Sequence, residues 1–255
     1  MKTNSLGILE FTFTLPEGVK GSSSMGSILH GAIMELLPPD VQQWLHEYSR
    51  RPYSQYLYFD VAQQAFTWRL ASLTKEAYAN VLTPLYQMPE TLYLKQKGVP
   101  LTITDRKWVL EDSYEGLTER FLGADTLYRK VNFQFKTGTS FKNEGQYMIY
   151  PDLGLVYKNL LRRWNTFSDC EIMDDPVIVE ELLKNTQVSA YKLMMSPFSL
   201  ERTHIPAFRG QLTVSTGRIV MIRRIAALLG YYANFSGVGI KTALGMGGTQ
   251  VLLEE

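Results

Sequence analysis

The sequence is poor in the residues that hold metals and disulfides, and this scarcity excludes several classes of protein. Its 255 residues include one cysteine, Cys170, and three scattered histidines. One thiol cannot form an intrachain disulfide, which favours a reducing compartment, and no Cys or His spacing matches a zinc site. No apolar run reaches the roughly 18–20 residues of a membrane span, and no signal peptide opens the chain. The sequence therefore predicts a soluble cytoplasmic protein that needs no metal or cofactor and does not insert into a membrane.

Acidic residues are absent from a long C-terminal stretch. Residues 1–128 carry a net charge of −3, whereas residues 129–255 carry a net charge of +4. Between Thr203 and Leu253 there is no Asp or Glu, but there are five basic residues: Arg209, Arg218, Arg223, Arg224 and Lys241. Cations without carboxylates are typical of a surface that binds a polyanion. A solvated basic face has the same composition, so charge alone leaves both interpretations open.

The segment Gly237–Gly248 contains five glycines and a single lysine, Lys241. Because glycine reaches positive φ and has no side chain, successive N–H groups of such a loop can converge on an anion. A Walker-type loop needs Gly directly before its Lys, where this chain has Ile240. A dinucleotide fingerprint would need Gly at Thr242 and would link a strand to a helix. The segment is therefore neither nucleotide motif, and an anion-binding loop and a flexible turn remain as interpretations.

Hydrophobic periodicity predicts two successive α+β units. In the first, alternating residues indicate strands and a 3.6-residue period indicates helices, in the order strand, helix, strand, strand, helix, strand. This is the ferredoxin-like pattern. The predicted strands are 6–15, 55–60, 66–73, 91–95 and 101–110, and the predicted helices are 25–36 and 75–86.

The second unit repeats this order less regularly. A strand near residues 131–136 precedes helices over 153–164 and 176–185, a long hairpin over 188–215, a helix over 219–233 and a short strand over 249–253. The fold prediction is α+β, with two tandem ferredoxin-like (RRM-like) domains and a C-terminal glycine-rich loop. The predicted bounds are 1–112 and 126–255, joined by the linker 113–125.

These features resemble the Cas "six" family of CRISPR repeat-RNA endoribonucleases within the RAMP superfamily. The family's C-terminal loop reads G-hydrophobic-G-x5-G-x-G with a Lys or Arg among the five, and Val238 and Lys241 fill these two roles. The runs 135–141, 150–152 and 160–165 resemble its second-domain signature, although the family more usually has Pro near Gly138. Leu29-His30-Gly31-Ala32 resembles its His-Gly segment, so the resemblance covers nearly the whole chain.

The resemblance implies metal-independent cleavage of CRISPR repeat RNA, in which the ribose 2′-OH attacks the adjacent phosphorus and leaves a 2′,3′-cyclic phosphate and a 5′-OH. This reaction needs a base, an acid and cationic or N–H groups around the phosphoryl oxygens. His30 is the first candidate, because the start of its predicted helix favours the neutral imidazole that a base requires. The alternative is a hydrogen-bonded histidine beside Gly31. His46 is the second catalytic candidate, with a surface histidine as its alternative, and His204 fits RNA contact better than catalysis.

Binding is assigned to the glycine loop and to nearby cations. The predicted RNA-binding residues are Gly237, Gly239, Lys241, Gly245, Gly247, Arg209, Arg162 and Arg163, and the lysine that stabilises the transition state stays open among Lys136, Lys142 and Lys241. Predicted partners are CRISPR repeat RNA and other CRISPR effector subunits, and monomer and homodimer both stay open. The rival functions are a non-catalytic RAMP-type RNA-binding subunit and an unrelated enzyme whose loop holds a nucleotide or phosphorylated metabolite.

Overall fold

A computed structural model of the chain describes residues 4–170, 176–200 and 203–255. The first half forms a five-stranded antiparallel sheet in the order β2-β3-β1-β5-β4. Its strands are β1 (Leu6–Thr14), β2 (Tyr53–Asp60), β3 (Ala65–Ser72), β4 (Thr91–Leu94) and β5 (Val99–Asp112). Its helices are α1 (Gly26–Leu36), α2 (Pro39–Glu47), α3 (Lys75–Ala77) and α4 (Thr83–Tyr86), with a π-helical segment, Tyr78–Leu82, between the last two.

Alternation in β1 explains how this sheet is covered. Leu9, Phe11 and Phe13 are fully buried beneath α1 and the 75–86 helix, whereas Glu10 and Thr12 between them are half-buried on the other face. Chain direction changes after α1 because Pro38 and Pro39 cannot continue a helix. Pro39 is tolerated as the first residue of α2, where its missing N–H has no helical partner to lose.

The second half forms a four-stranded antiparallel sheet in the order β13-β6-β12-β9. These strands are β6 (Lys130–Thr139), β9 (Thr186–Met195), β12 (Phe208–Thr216) and β13 (Thr249–Glu254). Two short hairpins are formed by β7 (Phe141–Asn143) with β8 (Gln146–Met148) and by β10 (Phe198–Leu200) with β11 (Thr203–Ile205). The helices are α5 (Tyr114–Thr118), α6 (Leu153–Phe167), α7 (Pro176–Asn185) and α8 (Val220–Ser236), and a π-helical segment, Glu119–Gly123, follows α5.

Both sheets have ferredoxin-like strand order, so the predicted fold class is confirmed. In the first sheet, β4 is an added edge strand; the second has only the four strands of the motif and is more regular than the sequence indicates. The predicted long hairpin is β9 with β12, but β10 and β11 lie between them, which places His204 in a strand rather than in the turn. None of the helices in the described residues is long and apolar enough to cross a membrane.

The segment predicted as a linker packs as part of the second core. Residues 113–123 are almost entirely helical, because Ser113 caps α5 by accepting from the Gly116 N–H and the apolar face of the helix is buried. Tyr114, Leu117 and Phe121 join the core formed with α6 and α8. The domain bounds 1–112, 113–125 and 126–255 stay a prediction.

The side chains of Gln55 and Ser54 hold the halves together near the glycine loop. The Gln55 amide on β2 donates to the Gly26 carbonyl at the start of α1 over 2.6 Å and to the Ala243 carbonyl of the loop over 2.9 Å. The Ser54 hydroxyl donates to the carbonyl of Phe235 near the end of α8. Residues of β2 thereby fix α1 and the glycine loop relative to each other.

Candidate active site

The glycine loop is a buried, internally bonded structure. Helix α8 ends at Ser236, and its C-cap Gly237 has φ 63°, in the positive range that glycine adopts most readily. The Gly237 N–H donates to Ala233, the Gly239 N–H to the Asn159 side chain and the Gly247 N–H to Gly138. These amides are therefore already bonded within the protein. Convergence of these three N–H groups on an anion is not what the structure shows, and RNA binding by Gly237, Gly239 and Gly247 stays a prediction.

The loop needs glycine at two positions, because its backbone there lies directly against the backbone of other segments. A Cβ at Gly247 would overlap the Val238 carbonyl, and one at Gly245 would lie 2.8 Å from the Gly26 Cα at the start of α1. Gly245 has φ 98° and Gly247 has φ 65°, which side chains disfavour. Gly245 is thus a packing contact with α1, and its predicted contact with RNA stays a prediction. The glycines bring the loop directly onto the helix that carries His30.

A cavity of about 840 Å³ opens where α1 and α2 of the first half face α6 and the glycine loop of the second. Both predicted catalytic histidines, His30 and His46, line this cavity. Seven cations line it as well, and no carboxylate of the described residues does: Arg50, Arg51, Lys142, Lys158, Arg162, Arg163 and Lys241. Such a concentration of positive charge in a concave site attracts an anionic ligand.

His30 lies at the inner wall of the cavity. Its Nδ1 is 2.6 Å from the hydroxyl of Tyr53, a fully buried residue on β2, and the two rings are nearly parallel. Burial lowers the pKa of His30 to about 4, and the positive charge of Arg51 and the neighbouring His46 add to this effect. Burial also raises the pKa of Tyr53 far above its usual value, so the phenol keeps its proton. His30 is therefore a neutral imidazole at neutral pH, as the base interpretation requires.

His46 is held by Arg51. An amino group of Arg51 lies 3.2 Å from His46 Nδ1, and Arg51 also donates to the Leu45 and Tyr48 carbonyls, which lie at the C-terminal end of α2. These contacts satisfy carbonyls that the helix leaves without partners. The same side chain therefore closes α2 and orients His46, which is exposed at the cavity wall.

Arg163 differs from the other cations because it is buried. It lies on α6 beside Trp164 and is 7% exposed, whereas the neighbouring Arg162 is exposed. Its Nε has no hydrogen-bond partner, and burial lowers its pKa, partly offset by the Tyr232 and Tyr114 hydroxyls. Among the described residues no carboxylate pairs with it. A buried guanidinium without a counter-charge is costly, and an anionic ligand would supply what is missing.

Three predicted residues lie away from this cavity. Arg209 is exposed on β12, next to Met194 of the edge strand β9. His204 pairs with Ser199 in the β10–β11 hairpin, with its Nδ1 3.0 Å from the Ser199 hydroxyl. The Lys136 Nζ lies over the Tyr58 ring, 5.4 Å from the ring centroid, and burial lowers the pKa of Lys136. Of the three candidate lysines, only Lys142 and Lys241 line the cavity.

Besides Arg50, four residues of the site are not predicted from the sequence. Arg51 and Tyr53 lie just ahead of and within β2, Lys158 lies one turn before Arg162 on α6, and Asn159 holds Gly239. Only Lys158 has a sequence signal, because residues i and i+4 share one helix face. Tyr53 and Asn159 act through contacts between distant segments, whereas Arg51 bonds to Leu45, His46 and Tyr48, which lie three to six residues before it. Among the described residues, no group of three or more His, Cys, Asp or Glu side chains could hold a metal ion.

Comparison with known proteins identifies the family. A curated relative, the CRISPR-associated endoribonuclease Cas6 of Mycobacterium tuberculosis, is 30% identical over 230 residues, which cover 90% of this chain and 72% of the relative. The chain belongs to the Cas6 family. The Cas6 family model matches residues 133–249, which include most of β6 and the glycine loop. A Cas6 of Streptococcus thermophilus is 27% identical over 226 residues, and this alignment covers 89% of this chain and 90% of the relative.

Solved Cas6 structures share the whole fold. A Cas6 product complex matches with a TM-score of 0.77 and 23% identity, covering 97% of this chain and 99% of the other. Thermus thermophilus Cas6 matches with a TM-score of 0.76 and 20% identity, covering 99% of this chain and the whole of the other. The family predicted from the sequence, and its class as an endoribonuclease, are confirmed.

Proposed function

We propose that this Cas6 family member cleaves CRISPR repeat RNA within the 840 Å³ cavity, with His30 as general base. One observation carries the proposal: a neutral imidazole and seven cations share one concave surface that no described carboxylate lines. Relatives named CRISPR-associated endoribonucleases support the reaction class. The shared cavity supports this location for the reaction.

In the proposed reaction, His30 takes the proton of the ribose 2′-OH as the 2′ oxygen forms a bond to the adjacent phosphorus. The bond between phosphorus and the 5′ oxygen breaks, and the departing oxygen keeps the electron pair and takes a proton from solvent water. The products are a 2′,3′-cyclic phosphate and a 5′-OH. The protein supplies the base and the surrounding charge, and no step of the proposal requires a metal.

The cations have two proposed roles. Lys241, Lys142 and Arg163 surround the phosphoryl group and stabilise its developing negative charge. Arg162 and Lys158, exposed one helical turn apart on α6, hold neighbouring phosphates and set the register of the strand. His46 donates a hydrogen bond from the cavity wall. RNA is the proposed partner, and the cytoplasm, where repeat transcripts are made, is the proposed compartment.

A cleavage assay with the purified protein and repeat RNA tests this proposal. Purified protein is incubated with repeat RNA of its own genome in EDTA, and the product ends are mapped. We expect a single cut with 2′,3′-cyclic phosphate and 5′-OH ends, and no cut when the 2′-OH at that position is replaced by hydrogen. Cleavage of the 2′-deoxy substrate would contradict the chemistry. Tight binding of the repeat without any cleavage would favour the non-catalytic RNA-binding subunit instead.

A further inference from the structure

The three residues Arg51-Pro52-Tyr53 reach both histidines of the cavity. Tyr53 places its hydroxyl 2.6 Å from Nδ1 of His30, and Arg51 places an amino group 3.2 Å from Nδ1 of His46. Pro52 fixes the segment between them, because its carbonyl accepts from the Leu73 N–H over 2.8 Å. The same nitrogen of each imidazole is therefore occupied by the protein.

We propose that this tripeptide gives the two imidazoles opposite roles: Tyr53 makes His30 a proton acceptor at Nε2, and Arg51 makes His46 a hydrogen-bond donor at Nε2. Arg51 and Tyr53 are thus positioning residues. The inference rests on the proposed function of His30 and adds which atom of each ring acts and what sets its protonation.

The role of His46 follows from the chemistry of arginine. A guanidinium has five N–H donors and no acceptor, so the bond from Arg51 requires a lone pair on Nδ1. The single hydrogen of the neutral ring then lies on Nε2. Because His46 lines the cavity, its Nε2–H can donate to a phosphoryl oxygen.

The role of His30 follows from the position of Tyr53. Tyr53 is fully buried and occupies Nδ1, so Nε2 is the ring nitrogen left for a ligand in the cavity that His30 lines. For Nε2 to accept the 2′-OH proton, the ring hydrogen must lie on Nδ1 and the Tyr53 oxygen must accept it, with the phenol hydrogen turned away from the ring. The imidazolium formed in the reaction then keeps this bond. The opposite arrangement, with Tyr53 donating to Nδ1, would leave hydrogen on Nε2 and turn His30 into a donor.

Nitrogen NMR of the histidine side chains tests both assignments directly. The chain has three histidines, and His30→Ala and His46→Ala variants assign their signals, with His204 as internal reference. At neutral pH we expect hydrogen on Nδ1 of His30 and on Nε2 of His46. Hydrogen on Nε2 of His30, or on Nδ1 of His46, overturns the inference. The wild-type spectrum decides this even if a variant at position 51 or 53 does not fold.

Tyr53→Phe removes one hydroxyl and keeps the ring. We expect cleavage to slow about tenfold, as loss of one hydrogen bond to a charged ring predicts, while the dissociation constant for RNA stays unchanged. The acid limb of the pH–rate profile should move to lower pH, because the imidazolium loses its acceptor. A move to higher pH would show that Tyr53 was a donor and overturn the assignment. The NMR signals of His46 should not change.

Arg51→Lys is the matched variant for His46, because it keeps the positive charge and loses the guanidinium fork. Only the His46 signals should change, and the His30 signals should keep hydrogen on Nδ1. Failure of this inference is distinct from failure of the proposed function. If His30→Ala abolishes cleavage while the spectrum shows hydrogen on Nε2 of His30, the tautomer assignment alone is wrong. If His30→Ala leaves cleavage unchanged, the proposed function is wrong.

Discussion

The two sides of the cavity are built differently. On the N-terminal side, His30 and His46 each have a protein hydrogen-bond partner, and His30 is half-buried. On the C-terminal side, the cations are mostly exposed, and none of them forms an ion pair with a described residue: Lys142, Lys158, Arg162 and Lys241. Groups that move protons need fixed geometry, whereas groups that hold phosphates act through charge. Changes on the two sides should therefore affect cleavage and binding separately.

His30→Ala should produce the largest separation. Loss of a general base lowers the cleavage rate by about 10²–10⁴-fold, whereas RNA affinity should stay within about twofold because the cations remain. Single-turnover cleavage and equilibrium binding with one repeat RNA measure the two quantities. The matched control is His204→Ala, since His204 is exposed in the β10–β11 hairpin away from the cavity. Equal loss of cleavage in both variants would contradict the assignment of His30.

Gly247→Ala should act on folding rather than on RNA contact. A methyl group there meets the Val238 carbonyl and forces a side chain into φ 65°, at a cost of about 2–4 kcal/mol in the free energy of unfolding. Gly18→Ala is the control, because Gly18 has φ 80° but open space around it, so only the backbone strain remains. Denaturant unfolding compares the two. If Gly247→Ala keeps full stability and loses only RNA affinity, the loop is a binding device after all.

Arg163→Met should weaken binding without weakening the fold. The variant removes a buried cation that has no described counter-charge, so RNA affinity should fall about tenfold, as expected for one charged hydrogen bond. The melting temperature should stay the same or rise, because an apolar side chain replaces a desolvated charge. Arg162→Met is the control on the exposed face. A fall in melting temperature for Arg163→Met with unchanged affinity would identify Arg163 as a structural residue.

The pH dependence should differ between free and RNA-bound protein. A base acts unprotonated, so kcat/KM should rise with pH through the pKa of about 4 that burial and Arg51 give His30. In the complex, RNA phosphates oppose the charge of Arg51 and raise the pKa of His30, so the acid limb of kcat should lie at higher pH. Rate profiles at limiting and saturating RNA report the two values. A kcat limb at or below that of kcat/KM would contradict the proposal.

Single neutral replacements of the exposed cations should have the smallest effects. Lys158→Gln or Arg162→Gln should reduce the slope of log affinity against log salt by about 0.7–0.9 for each phosphate that the side chain no longer neutralises. The cleavage rate of bound RNA should stay nearly unchanged. Arg209→Gln, away from the cavity, serves as the control and should leave the slope as it is. A reduced slope for Arg209→Gln alone would indicate that the RNA binds the exposed face of β12 that carries Arg209, not the cavity.

The sequence predicts the order of strands and helices along the chain and the position of His30 on α1, because both depend on local patterns. Alternation in β1 and the apolar stripe of α1 determine faces of single elements. The roles of Tyr53 and Asn159 depend on segments far apart in the chain, and that of Arg51 depends on the turn after α2; no local periodicity encodes any of them. The glycine loop shows the same distinction, because its spacing identifies the family but its amides bond to Gly138 and Asn159 rather than to an anion. Arg162 and Arg163 are adjacent in sequence, and only the packing of α6 distinguishes them. It buries Arg163 and leaves Arg162 exposed.

The most direct test of one shared cavity is the crystal structure of this protein bound to repeat RNA with a 2′-deoxy nucleotide at the cut. We expect the scissile phosphate to lie among Lys241, Lys142 and Arg163. The 2′ position should face Nε2 of His30 at a distance that a hydroxyl would bridge, about 2.6–3.2 Å. An RNA strand that follows another face, with the scissile phosphate far from His30, would contradict a shared cavity.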